Sequence, residues 1–161
     1  MPTLILVRHA KAEPHRPGDL TRALAARGRT DAAALGSWLR QAVAPPNRAV
    51  VSPSVRTRET WELAAVDCPD VVLDERVYEA TSGELREVIG QTPSDVDVLL
   101  LVGHNPALEQ LSAELDPTGS LVGGLATCAA AVFTVSDWSL PDSRLRQWWS
   151  PRSGAGPSAS P

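Results

Sequence analysis

Three short stretches of this chain combine chemically capable residues with a chain position able to present them. The first is Leu4-Ile5-Leu6-Val7-Arg8-His9, an apolar run that ends in a guanidinium and an imidazole. The second is Ser52-Pro53, with Arg56 shortly after it. The third is Leu99-Leu100-Leu101-Val102-Gly103-His104-Asn105-Pro106. Arginine forks and helix N-termini both bind dianions. An imidazole set among them suits nucleophilic attack on phosphorus, because neighbouring positive charge lowers its pKa and favours the neutral form. The remaining donors would stabilise charge on the equatorial oxygens of an in-line transfer. A histidine alone at a strand end is usually a satisfied polar residue, and Arg56 or Arg58 alone reads as a solvated helix charge. The joint pattern carries the argument.

The elements that must position these groups are legible in outline. Apolar runs predict strands at residues 3–7, 48–51, 71–73 and 96–102. Their continuity suits parallel strands covered on both faces. Helical spacing predicts helices at residues 26–43, 53–65, 81–91 and 106–115. Ser52 and Asn105 are the expected caps of the second and fourth, and Thr81 with Glu84 has capping-box spacing. Residues 128–135 and 145–149 are expected to pair as an antiparallel hairpin. Trp148 and Trp149 are adjacent there, so one is expected to face outward. Strands alternating with helices predict an α/β chain, a three-layer α/β/α sandwich with a mostly parallel central sheet. Ligands of such sheets bind outside the carboxyl ends of the strands, where Arg8, His9, Arg56 and His104 can converge. One domain over residues 1–149 is expected, followed by a disordered tail at residues 150–161, rich in Pro, Ser, Gly and Ala.

Composition excludes several classes. The chain has 161 residues and a net charge of −4, which argues against a broad nucleic-acid-binding face. No apolar run approaches a membrane span, and no basic leader opens the sequence. Cys68 and Cys128 fit neither a zinc spacing nor a disulfide framework, so a reducing cytoplasm is expected. Lys11, Glu13 and His15 read as a solvated loop, with Lys11 able to add charge at a pocket rim. No metal site and no cofactor are expected.

The three blocks resemble the signatures of the histidine phosphatase superfamily: Val7-Arg8-His9-Ala10-Lys11-Ala12-Glu13, then Ser52-Pro53-Ser54-Val55-Arg56-Thr57-Arg58-Glu59-Thr60, then Val102-Gly103-His104-Asn105-Pro106. The short chain, Lys11, and residues 20–28 leading into a helix are similar to SixA-type phosphohistidine phosphatases. The resemblance implies a phosphoglycerate-mutase-like fold and a metal-independent phosphatase with a covalent phosphohistidine intermediate. It implies His9 as nucleophile, Arg8 and Arg56 as phosphate clamps, and His104 as a partner of the phosphoryl oxygens. Asn105 joins the phosphate-binding set. Ala10 replaces the usual Gly, a change many SixA-like sequences share. Glu79, in Val77-Tyr78-Glu79, occupies the place of the general acid of larger members, without the Gly-rich context that normally follows. Glu84 is assigned to the capping box. A histidine-phosphorylated protein is the expected substrate, since no long insertion separates the blocks to cap the site. Small phosphate esters are the alternative, and a non-catalytic phosphate-binding module of the same fold is the rival class.

Overall fold

A computed structural model describes residues 1–14, 18–121 and 124–157. In chain order the elements are β1 (Thr3–Arg8), α1 (Ala26–Ala42), β2 (Arg48–Val51), α2 (Val55–Ala64), β3 (Val71–Leu73), α3 (Ser82–Gly90), β4 (Val98–Gly103), α4 (Ala107–Leu115), β5 (Ala130–Val135), β6 (Ser143–Ser150) and β7 (Gly154–Pro157). Short 3-10 turns at Asp19–Thr21 and Glu75–Val77 precede α1 and α3. One seven-stranded sheet has the order β3-β2-β4-β1-β5-β6-β7. Strands β1 to β4 run parallel, and β5, β6 and β7 extend the sheet antiparallel.

The unbroken apolar runs of β1 and β4 have a simple cause. Successive side chains point to opposite faces of a sheet, and both faces are covered. Leu4, Leu6, Leu99 and Leu101 join the core beneath α3 and α4, with Leu85, Ile89, Leu108 and Leu111. Ile5, Val7, Leu100 and Val102 join the core beneath α1, with Leu35 and Leu39. Parallel register pairs Arg8 with Gly103. The Ser52 N–H donates to the Val102 carbonyl at 3.1 Å. His9, Ser52 and His104 therefore emerge side by side at the carboxyl ends of three neighbouring inner strands.

Two helix starts differ from expectation. Ser54, not Ser52, caps α2, accepting from the Thr57 N–H. Ser52 stays in the strand end, wholly buried. Asn105 does not cap α4: the Asn105–Pro106 peptide is cis and the helix begins at Ala107 with no side-chain cap. The Thr81/Glu84 capping box forms as expected.

The segment after residue 150 also differs from the expected disordered tail. Gly154–Pro157 pairs with β6 as β7, and Arg152 donates to the buried Asp31 carboxylate of α1 at 2.7 Å. An apolar face is not needed, because backbone bonds and a small residue suffice. A Cβ at Gly156 would lie 2.8 Å from the Trp148 ring, so glycine lets that ring lie against the strand. Nor does either tryptophan of β6 face outward: Trp148 packs on one core cluster and Trp149 on the other, where it stacks on Trp38 at 6.1 Å. Residues 158–161 lie outside the described residues.

Candidate active site

At the carboxyl ends of β1, β2 and β4 lies a cavity of about 510 Å³ lined by Arg8, His9, Asp19, Arg22, Arg56, Tyr78 and His104, among others. Arg8, His9, Arg56 and His104 are thus brought together as the sequence suggested. His9 is buried, and its Nδ1–H donates to the Ala10 carbonyl at 2.7 Å. That bond fixes the tautomer: Nδ1 carries the proton and Nε2 keeps its lone pair. Burial, aided by the cations Arg56, Arg8 and Arg22, lowers the His9 pKa to about 4. The ring is therefore neutral at physiological pH, with its Nε2 lone pair available.

Ala10 is fully buried, and its N–H donates to Thr60 Oγ1 at 2.9 Å. Thr60 in turn donates to the Arg56 carbonyl. The loop after His9 is thereby tied to α2. Ala10 is not among the residues with positive φ, so the position accepts alanine without strain.

His104 lies with its ring centroid 5.3 Å from that of His9. Its Nε2–H donates to Ser52 Oγ at 2.8 Å, and its Nδ1 accepts from Arg56 Nη2 at 3.3 Å. Burial first, then His9 and Arg56, lowers its pKa to about 3. Ser52 is thus an acceptor for His104 rather than a helix cap.

Arg56 is 5% exposed on the first turn of α2. The Nε atoms of Arg8 and Arg56 are buried without a hydrogen-bond acceptor among the described residues. Buried donors of this kind demand a partner, and two guanidinium groups lining one cavity suit an oxyanion.

Arg8 is aimed by a peptide. Its Nη1 donates to the Leu125 carbonyl at 3.2 Å, and Asn105 Nδ2 donates to the same oxygen at 2.9 Å. The Leu125 N–H is held by Glu109 Oε1 of α4 at 2.8 Å. Gly124 has φ +85°, and a Cβ there would lie 1.7 Å from that carboxylate oxygen. Glu109 also offsets the lowering of the Arg8 pKa by burial.

The cavity residues that escaped the sequence reading include Asp19, Arg22 and Tyr78. Tyr78 Oη donates to Asp19 Oδ2 at 2.6 Å, and Arg22 Nε lies 3.3 Å from Asp19 Oδ1. The only sequence signal was the i, i+3 spacing of Asp19 and Arg22 before α1. Glu79 lines the same cavity, exposed and with φ 56°, a conformation uncommon outside glycine. Lys11 also lines it and is exposed, whereas Glu13 offers its carbonyl to Arg22. His15 lies outside the described residues.

Solved structures of known proteins share this fold. Residues 4–115 match the sequence profile of the histidine phosphatase superfamily (branch 1). An uncharacterised protein of Mycobacterium tuberculosis (strain H37Rv) is 36% identical over 110 residues, 68% of this chain and 69% of that one. Among solved structures, a candidate phosphohistidine phosphatase SixA from Nakamurella multipartitia superposes with TM-score 0.88 at 25% identity, covering 94% of this chain and 97% of that one. One of the same description from Agrobacterium tumefaciens gives TM-score 0.81 at 25% identity, covering 94% and 99%.

Proposed function

Because this chain belongs to the histidine phosphatase superfamily, we propose that it removes phosphoryl groups from protein phosphohistidine through a phosphorylated His9. The observation that supports this most is the bond from His9 Nδ1–H to the Ala10 carbonyl. It turns a neutral Nε2 lone pair into the nucleophile inside a ring of guanidinium groups. In the first step Nε2 attacks phosphorus. The N–P bond of the substrate breaks, and its electron pair returns to the leaving imidazole. Arg8 and Arg56 hold the equatorial oxygens, and the charge they meet is greatest in the transition state; His104, whose Nδ1 accepts from Arg56 Nη2, orients that fork. Water then attacks the phosphoryl group on His9. The Nε2–P bond breaks, the imidazole returns to its neutral form, and orthophosphate carries away the remaining proton equivalents.

Phosphohistidine is favoured over esters by the leaving group. An alkoxide needs a general acid, and the candidate acid Glu79 is exposed at the cavity edge. An imidazole needs none once it is protonated. The likeness to SixA-type structures supports the same reading. Cytoplasmic proteins then supply the substrate, and the unpaired Cys68 and Cys128 suit that compartment.

The test is a panel of histidine-phosphorylated proteins and phosphorylated metabolites, assayed with and without chelator. The expected result is a kcat/KM for at least one phosphorylated protein that exceeds every metabolite and ignores chelator. A metabolite ester as the best substrate would overturn the protein assignment. No turnover of any member would leave a phosphate-binding module.

A further inference from the structure

A carboxylate stands inside this phosphate-binding site. Arg56 Nη1 donates to the Asp19 carbonyl at 2.8 Å, and Nη2 donates to Asp19 Oδ2 at 3.0 Å. Tyr78 adds its hydroxyl to the same oxygen, and Arg22 flanks the other. Asp19 thus occupies part of the fork expected to grip a phosphoryl group. A fixed negative charge beside a dianion weakens phosphate binding, so its presence calls for a function elsewhere in the reaction.

We propose that Asp19 selects the leaving group: its carboxylate accepts a hydrogen bond from the protonated ring of a phosphoimidazole and disfavours leaving groups that depart as anions. This rests on the phosphohistidine reading above. A phosphoimidazole bears its phosphoryl group on one ring nitrogen. Protonated on the other, the ring is a cation. When His9 Nε2 forms its bond to phosphorus, the old N–P bond breaks and its electron pair returns to the ring. The product is neutral imidazole, which keeps the N–H it already had. No proton has to reach the departing nitrogen, so no general acid is needed. The site must instead stabilise the cation, which a carboxylate does and an uncharged amide does poorly.

The surroundings suit that task. The Asp19 side chain is 36% exposed at the cavity wall, so a further donor can reach it. The Tyr78 hydroxyl, followed by Arg56 and Arg22, lowers the Asp19 pKa. An ionised Asp19 accepts a proton donor and cannot itself serve as an acid toward an alkoxide.

The experiment compares Asp19→Asn with wild type on N-phosphorylimidazole and on 4-nitrophenyl phosphate, whose leaving group is an anion. Asparagine keeps the shape and an acceptor for Arg56 but removes the charge. The kcat/KM for phosphorylimidazole should fall about ten- to a hundredfold, the worth of a charge-assisted hydrogen bond. The kcat/KM for nitrophenyl phosphate should rise. Tyr78→Phe, which leaves the carboxylate less firmly held, should move the ratio the same way by less, and serves if Asp19→Asn does not fold. Equal changes on both substrates would overturn the proposal, since Asp19 would then merely hold Arg56. Wild type that cleaves nitrophenyl phosphate but not phosphorylimidazole would overturn the phosphohistidine reading, and this proposal with it. Wild type active on both, with an unchanged ratio in Asp19→Asn, would overturn this proposal alone.

Discussion

His9 and Arg56 show how far single residues announce themselves. Their types and their places after apolar runs pointed to phosphoryl transfer, and the structure brings them to one cavity with Arg8 and His104. Asp19 and Tyr78 could not be read that way. Their relevance comes from bonds to Arg56 and to each other across 37 and 59 residues of chain, which no local spacing encodes. Arg56 yields the sharpest prediction at this scale. Removing one preorganised donor typically costs ~10²–10³ in rate, and Arg56→Ala should lose that much kcat. Arg56→Lys should not rescue it, because an ammonium lacks the planar fork. Steady-state kinetics on both variants decides this, with vanadate inhibition as a second readout. If vanadate inhibits Arg56→Ala as strongly as wild type, Arg56 is no clamp.

Elements were legible where one face or one cap dictated them, and illegible where a tertiary partner did. Strands β1, β2 and β3 and the capped α3 fell within a residue or so of expectation. The starts of α2 and α4 moved because Ser52 bonds to His104 and Asn105 bonds to the Leu125 carbonyl. Strand β7 went unseen because its order comes from β6 and Trp148, not from its own Gly and Ala residues. Deleting residues 151–161 should therefore destabilise the domain. Lost strand bonds and the lost Arg152 partner of Asp31 should cost about 1–3 kcal/mol, or roughly 3–10 °C in Tm. A melting curve unchanged within error would show that the strand contributes nothing. The link from α4 to Arg8 makes a second prediction. Glu109→Ala should lower kcat/KM about tenfold, and Glu109→Gln, which keeps an acceptor for Leu125, should recover most of it. In an Arg8→Ala background Glu109→Ala should cost little more, because it acts through Arg8. Full additivity would make Glu109 a purely structural residue.

The whole molecule holds two neutral histidines where their cationic forms are disfavoured, and its pH response follows. Unfolded, both rings take up protons near 6.5. Folded, they do so only near 4 for His9 and 3 for His104. Between those values the unfolded chain binds more protons, so stability falls as pH falls below 6.5. The window from pH 6.5 to 5 lies above the carboxylate range and isolates the effect. Denaturant unfolding across it should show falling stability in wild type and a flatter profile in His104→Asn. Equal slopes in the two would contradict buried neutral imidazoles. The fold as a whole was legible because a parallel α/β sheet requires apolar strands and places ligands at their carboxyl ends. The charge wall around Asp19 was not, because it is assembled from separate segments. The central claim is a phosphoryl group carried on His9, and rapid acid-free quenching with intact mass measurement tests it most directly. Wild type mixed with phosphorylated substrate should gain the mass of one phosphoryl group, lost again on brief acid treatment. His9→Ala should gain none and turn over no substrate. Turnover by His9→Ala, or an acid-stable adduct on wild type, would contradict the account.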